Sequence, residues 1–333
     1  MHTPKLSHML IDNHGRTINY LRLAVTDNCN LRCQYCMPEE GVQFAHKNEL
    51  LSWDELLLLS QSFVEMGVDK IRITGGEPFV RKGLMDFLEK LAFLDGLEEI
   101  SITTNATLIG PHILHLKKLG ITKINISFDS LDKSRFNEIT RRNQFDTVMT
   151  NVQRMMDEGF DVKLNCVVMD GKNTQDIIPF VRYAHDHPIT VRFLEEMPFN
   201  GQSSGPATLK WDYITILEHI KDHFGPIQKL PAPASSTSLN YQLKGSKGKF
   251  GVIPSYSRTF CGTCNRVRVT AKGEMQTCLY ATETIDLRAL IREHDHINGL
   301  KFSIYTAMQA RHKDGFEAEN QSETKKSMTL IGG

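Results

Sequence analysis

The sequence lacks an excess of either charge. Its 39 Lys and Arg residues balance 39 Asp and Glu residues, for a formal net charge of zero. Nucleic-acid binders normally carry a basic excess, so that class is set aside; local cationic pockets for small anions stay compatible with the balance. No apolar run approaches the roughly 20 residues needed to span a bilayer, so no membrane partner is expected. The first ten residues show none of the charged, apolar and cleavage regions of an export signal, which makes the cytoplasm the expected location. There is no low-complexity tract and no internal repeat beyond an alternation of strands and helices. With 333 residues the chain is long enough for one large barrel-type domain or two ordinary ones.

Cysteine is modest in number but uneven in placement. Of seven, three fall within 29–36 and three within 261–278, and Cys166 stands alone. In a reducing compartment such groupings are metal ligands or redox groups more often than disulfides. Cys166 reads as a small buried apolar residue.

The first two-thirds alternates candidate strands, over 21–26, 70–75, 99–104, 123–128, 162–168 and 190–195, with helical stretches. The clearest helix runs over 52–66. Ser52 and Glu55 make a capping-box pattern and Gly67 stops it. A second runs over 146–158 and ends at Gly159. Six β-α units predict an α/β fold, a partial (βα)6 TIM-like barrel whose ligands bind at the C-terminal strand ends. A doubly wound open sheet is the alternative on spacing alone. From about residue 200 the chain turns richer in Gly, Ser and Pro. The expected division is a barrel over 15–200 and a small C-terminal unit over 201–333, with strands over 250–254 and 266–270.

Cys29, Cys33 and Cys36 form C-x3-C-x2-C just after the first predicted strand. Three thiolates on one loop can each bind one iron of a cubane, leaving the fourth iron open to an external chelator. A zinc site is the alternative, and it would want a fourth protein ligand. Thr74-Gly75-Gly76-Glu77-Pro78 follows the second strand. Alone it reads as a turn; beside the cysteine loop its glycines would let backbone approach a ligand closely. Thr103-Thr104-Asn105 and Ser127-Phe128-Asp129 end the third and fourth strands, where they suit either nucleoside hydrogen bonding or capping of the next helix. The motifs resemble those of the radical S-adenosylmethionine superfamily. The resemblance implies a [4Fe–4S] cluster that cleaves S-adenosylmethionine to a 5′-deoxyadenosyl radical.

Cys261, Cys264 and Cys278 form C-x2-C-x13-C. The runs 266–270 and 274–277 flank Ala-Lys-Gly, a hairpin signal that would return Cys278 to the first pair. Zinc competes here more seriously. With both triplets, Arg266-Val267-Arg268 between them, and a terminal Gly332-Gly333, the chain resembles the GTP 3′,8-cyclase family of molybdenum-cofactor biosynthesis over essentially its whole length.

That resemblance implies a lyase with two [4Fe–4S] clusters and S-adenosylmethionine as cofactors. The radical takes the 3′ hydrogen of GTP, and C8 of guanine is attacked to give (8S)-3′,8-cyclo-7,8-dihydroguanosine 5′-triphosphate. It implies metal ligation by Cys29, Cys33 and Cys36 and by Cys261, Cys264 and Cys278. S-adenosylmethionine contacts would be Tyr35, Gly76, Ser127 and Met197. GTP contacts would be Arg22, Arg72, Thr103, Lys163, Arg266, Val267 and Arg268. Catalytic roles would fall to Arg266, Arg268 and the inserted tail, Gly332 and Gly333. A homodimer, an external one-electron donor and transfer of product to cyclic pyranopterin monophosphate synthase are also implied. A strand Arg or Lys ordinarily faces solvent. In a barrel strand, helices cover the outside, so Arg22, Arg72 and Lys163 should point inward. Met197 is by default a core filler. One departure stands out: Ala106 occupies the position where the family commonly has Gly after Thr-Thr-Asn, a residue type that disfavours positive φ.

Overall fold

In the computed structural model, which describes residues 9–197, 209–233, 235–293, 296–320 and 327–332, six strands lie side by side in chain order. They are β1 (Tyr20–Ala24), β2 (Lys70–Thr74), β3 (Glu99–Thr104), β4 (Lys123–Ser127), β5 (Asp161–Val168) and β6 (Thr190–Glu195). All neighbours among them pair parallel. Parallel neighbours require crossovers, supplied by α1 (Trp53–Glu65), α2 (Leu84–Ala92), α3 (Ile113–Lys118), α4 (Lys133–Thr140), α5 (Phe145–Asp157) and α6 (Ile177–Asp186). The predicted barrel repeat is therefore present, with a single strand order that a doubly wound sheet would not give.

The strands alternate rather than run apolar throughout. Leu21, Leu23, Ile71, Ile73, Ile124, Ile126, Val162, Leu164, Val191 and Phe193 are buried in one core with Leu56, Leu59 and Phe63 of α1 and Phe87, Leu88 and Leu91 of α2. Cys166 joins them at 1% exposure, as a small apolar residue would. Each fully buried Leu, Ile or Phe contributes roughly 1.5–3 kcal/mol. The alternate positions, among them Tyr20, Arg22, Arg72, Thr103, Asn165 and Arg192, line a cavity on the other face. The period-2 pleat thus puts oil outside, under the helices, and polar groups inside.

The helix ends follow local chemistry. Ser52 caps α1 with the full capping box to Glu55, and Gly67 past its end has φ of 95°. After α5, Gly159 likewise takes a left-handed φ of 77°.

The rest of the chain adds α7 (Tyr213–Phe224), β7 (Gln228–Lys229), β8 (Leu239–Gln242), β9 (Lys249–Ile253), β10 (Arg266–Val269), β11 (Glu274–Gln276), β12 (Ile285–Asp286), α8 (Leu287–Arg292), α9 (His296–Gln309), α10 (Gly315–Asn320) and α11 (Met328–Ile331). Strand β9 joins β6 and β10 joins β1, both parallel, so the C-terminal strands extend the barrel's own sheet at each edge. The expected boundary at 200/201 lies outside the described residues. The predicted hairpin exists: β10 and β11 pair antiparallel, and Gly273 at its turn has φ of 87°. No helix among the described residues is long and apolar enough to cross a membrane.

Candidate active site

The cysteine loop leaves β1 through Thr26 and Asp27, both buried. The glycine loop after β2 docks onto that root. Gly76 N–H donates to Thr26 O at 2.8 Å and Glu77 N–H to Asn28 O at 2.7 Å. A Cβ on Gly75 would sit 2.2 Å from Thr26 O, and one on Gly76 would sit 2.3 Å from Asn28 O. The glycines are needed first for backbone-to-backbone approach, before any ligand is considered. Glu77, fully buried, accepts from Thr104 Oγ1 (2.7 Å), Asn105 N (2.7 Å) and Phe79 N (3.1 Å), tying the ends of β2 and β3 together. Burial pushes its carboxyl up to about 7 against those bonds.

Around the first triplet, Leu31 N–H points at Cys29 Sγ (3.4 Å), and Asn105 Nδ2 lies 3.8 Å from the same sulfur. Tyr35 hydrogen-bonds with Asp129, whose carboxyl burial raises to about 7, and with Cys33. Burial raises all three thiols, Cys36 to about 12. Burial thus keeps them neutral as free thiols; bound to a cationic metal centre they would be thiolates outright.

At the second triplet, the β10–β11 hairpin lies between Cys264 and Cys278, and burial, with the nearby Cys264, raises the Cys278 thiol. Cys264 differs from the other five. Burial pushes it up, but Arg311 and Arg266 more than offset this and hold it below its ordinary value. Arg258 braces the loop: it is 4% exposed, stacks 3.7 Å over the Tyr280 ring, pairs with Glu319 and donates to Gly315 O at 2.8 Å.

Between the triplets lies a cavity of about 620 Å³ lined by all six of these cysteines. Strand register sets Arg268, Arg22 and Arg72 in one row across β10, β1 and β2. Tyr20, one row away, has Lys70, Arg72 and Arg266 within 4.9–5.5 Å of its ring. Burial, then repulsion from Arg268 and Arg72, brings Arg22 down to about 9. Burial brings Arg268 to about 10, and burial with Arg72 does the same to Arg192. Several buried polar atoms in this lining meet no partner among the described residues: Tyr20 OH, Thr103 Oγ1, Asn165 Oδ1, Arg192 Nε and Arg266 Nη1. Orphaned buried polar groups cost about 1–3 kcal/mol each, and all but the Asn165 oxygen can donate, so a polar, anionic occupant suits the wall.

Of the residues singled out in the sequence, the cavity brings together Arg22, Arg72, Thr103, Arg266, Val267, Arg268, Tyr35, Gly76, Ser127 and Met197 with the cysteines. Val267 is 1% exposed, on the apolar face of β10. Met197 also packs against the small core of Tyr280, Ala281, Ala318 and Ile331. Lys163 is not among the lining residues and pairs with Asp161, though burial lowers it to about 8. Ala106 does adopt positive φ, 60°, fully buried. Asn151 Nδ2 donates to its carbonyl at 2.7 Å, and Ala106 N–H donates to Thr104 Oγ1 at 3.0 Å. Sequence reasoning missed Tyr20, Asn165 and Arg192. Their signal was available as the polar positions of alternating strands.

The end of the chain is docked. Ser327 Oγ donates to Cys36 O at 2.5 Å, Thr329 Oγ1 to Asp27 O at 2.6 Å, and Arg268 Nη1 to Ile331 O at 3.2 Å. Met328 and Thr329 line the cavity. Gly332 has φ of 82°, and a Cβ there would meet Ala24 Cβ at 2.8 Å. Gly333 lies outside the described residues.

The donor set fits iron–sulfur clusters. Each triplet offers three soft sulfur ligands facing one cavity, and no three His, Cys, Asp or Glu side chains among the described residues converge on a single ion position. A lone zinc with bonds of about 2.3 Å requires such convergence, whereas a cubane takes one thiolate at each of three separate iron corners.

Comparison with known proteins agrees. The Radical SAM superfamily matches residues 23–184 and the Molybdenum Cofactor Synthesis C family matches 189–317. GTP 3′,8-cyclase of Hydrogenovibrio crunogenus is 40% identical over 330 residues, covering 97% of this chain and 99% of that one. Molybdenum cofactor biosynthesis protein 1 of Bos taurus is 41% identical over 298 residues, and the match spans 87% of this chain but 46% of the longer relative. The fold is shared with Streptococcus suis SuiB, at TM-score 0.63 and 14% identity over 91% of this chain and 72% of that one. The chain belongs to the radical SAM superfamily and, within it, to the GTP 3′,8-cyclase family.

Proposed function

We propose that this chain converts GTP to (8S)-3′,8-cyclo-7,8-dihydroguanosine 5′-triphosphate, the first step of molybdenum cofactor biosynthesis. The observation that carries the reading is the single cavity lined by six cysteines and a wall of half-buried and buried cations. Cys29, Cys33 and Cys36 would hold one [4Fe–4S] cluster and Cys261, Cys264 and Cys278 the other. With S-adenosylmethionine, the first supplies reductive cleavage to a hydrogen-abstracting radical.

The remaining work falls to the chain. Arg22, Arg72, Arg192, Arg266 and Arg268 neutralise and orient the triphosphate, since guanidinium forks match phosphate oxygens in pairs. Anion binding also relieves their mutual repulsion, so binding and stability rise together. Thr103 and Asn165 offer unspent hydrogen-bonding groups to the nucleoside. Tyr35, Gly76, Ser127 and Met197 line the S-adenosylmethionine side. Lys163 contributes positive potential from outside the lining. Gly332 packs against Ala24 of β1 and Thr74 of β2, and the catalytic role expected of Gly332 and Gly333 rests on that docked tail. A homodimer, an external one-electron donor, a cytoplasmic location and delivery of product to cyclic pyranopterin monophosphate synthase complete the reading.

Anaerobic incubation with GTP, S-adenosylmethionine and reductant tests it. Formation of 5′-deoxyadenosine with a cyclised GTP product is expected; 5′-deoxyadenosine with untouched GTP sinks the substrate assignment. Metal analysis should find about eight irons per chain, as two cubanes require.

A further inference from the structure

Residues 9–18 form a small hairpin, closed by the Ile11–Thr17 bridge and an Ile18 N–H bond to Leu10 O of 2.8 Å. Its position beside the second cysteine loop is not explained by the barrel. Asp12, with a fully buried side chain, accepts from Arg16 Nε at 2.6 Å and from Arg311 Nη1 at 3.2 Å. Burial works against its charge, but hydrogen bonds from Arg16 and His14 and the Arg16 charge hold its carboxyl below the ordinary value. Both arginines then reach the cysteine loop. Arg16 Nη1 donates to Cys261 O at 3.1 Å, and Arg311 Nη1 donates to Cys264 O at 3.1 Å. Arg311 alone of the two touches a sulfur: its Nη2 lies 3.2 Å from Cys264 Sγ and 3.0 Å from Arg266 O.

We propose that Arg311, anchored by Asp12, is a positioning residue that sets the reduction potential of the second cluster through a charged hydrogen bond to Cys264 Sγ. This rests on the reading that Cys261, Cys264 and Cys278 hold a cluster. Three arguments carry it. Arg311 is 4% exposed, so its field on the sulfur is little screened by water. Its fork grips the carbonyl and the sulfur of one residue, which fixes the Cys264 side chain as well as polarising it. A bond from a cation to a ligand sulfur stabilises the more negative, reduced state, and such bonds are a recognised lever on cluster potential. Asp12 acts at one remove: it holds the guanidinium in register and compensates its charge. The hairpin thereby ties the start of the chain to the electronics of a site formed by its last third.

The test is an anaerobic redox titration of reconstituted protein, followed by electron paramagnetic resonance, with the first cluster as internal reference. In Arg311→Met the second cluster should shift to lower potential while the first stays put and iron remains near eight per chain. Arg311→Lys, which keeps the charge but not the fork, should recover part of the shift. Arg311→Gln, which keeps a donor to the sulfur without the charge, should shift the second cluster in the same direction by less. An unmoved second-cluster potential in a fully loaded Arg311→Met protein overturns the proposal. If that variant does not load, an unmoved potential in a fully loaded Arg311→Gln protein does so instead. Zinc, or a single cluster signal, in the unsubstituted protein overturns the cluster assignment itself, which is a separate and visible failure.

Discussion

Arg22 sits between Arg268 and Arg72 in strand register and is repelled by both, Arg268 being buried and the other two half-buried. The cavity wall is therefore destabilising until an anion arrives. Replacing Arg22 with Ala should weaken GTP binding by about 2 kcal/mol, roughly thirty-fold in Kd, while leaving the ligand-free protein no less stable. Calorimetric titration with GTP and a thermal melt without it measure both. A variant that loses ligand-free stability and keeps its affinity would assign Arg22 to structure alone.

Lys163 carries a pH signature. Burial, partly offset by Asp161, places it at about 8, below its unfolded value. A cation with a depressed folded pKa costs stability when protonated. Its contribution is present above the unfolded value and is lost as pH falls through about 8. GTP affinity should run the other way, strongest below pH 8 and weakening above it. Arg in place of Lys163 should remove that fall, as measured by Kd between pH 7 and 9.

Ala106 shows how far one residue can depart from a pattern without changing the turn. Its left-handed φ of 60° costs about 1 kcal/mol, and its buried methyl returns a similar amount. Ala106→Gly should therefore lie within about 1 kcal/mol of the natural protein in denaturant melts, with the Asn151 bond retained.

At the scale of elements, two loops and one tail decide the site. The glycine loop after β2 and the cysteine loop after β1 touch backbone to backbone, so Gly76→Ala should cost about 1–3 kcal/mol from forced separation and loosen the first triplet. Reduced iron at that triplet, with the second cluster intact by electron paramagnetic resonance, is the expected readout. The tail acts later in the chain. At Gly332 a side chain faces both a positive φ and Ala24 at 2.8 Å. Gly332→Ala should unseat residues 327–332, visible as faster amide exchange there, and abolish cyclisation with iron content unchanged. Full activity in that variant would remove the tail from the account.

Much of this was legible in residue order because the governing physics is local. Cysteine spacing, the Ser52 capping box, the Gly159 stop and the Ala-Lys-Gly hairpin are each set by near neighbours, and all stand where the sequence placed them. Arg192 and Asn165 were legible in principle. Thr190-Val191-Arg192-Phe193 alternates like Tyr20-Leu21-Arg22-Leu23, and the same face must point inward. Lys163 shares that alternation, yet it pairs with Asp161 at the start of β5 instead of lining the cavity, because its depth along the barrel is set by register, not by face. Arg258 and Arg311 carried no local signal. Their partners, Glu319 and Tyr280 for one and Asp12 and Cys264 for the other, lie more than twenty residues away and meet only in the folded chain.

At the scale of the whole molecule, the barrel's pleat turns a neutral chain into a cation-lined chamber with a sulfur triplet at each side. We infer that this chamber aims a radical made at the first triplet at the ribose of GTP held beside the second. Deuterium tracing tests it most directly. Anaerobic turnover of GTP labelled with deuterium at C3′ should place the label in 5′-deoxyadenosine recovered alongside the cyclised product. Recovery of unlabelled 5′-deoxyadenosine from a reaction that consumes GTP would contradict it.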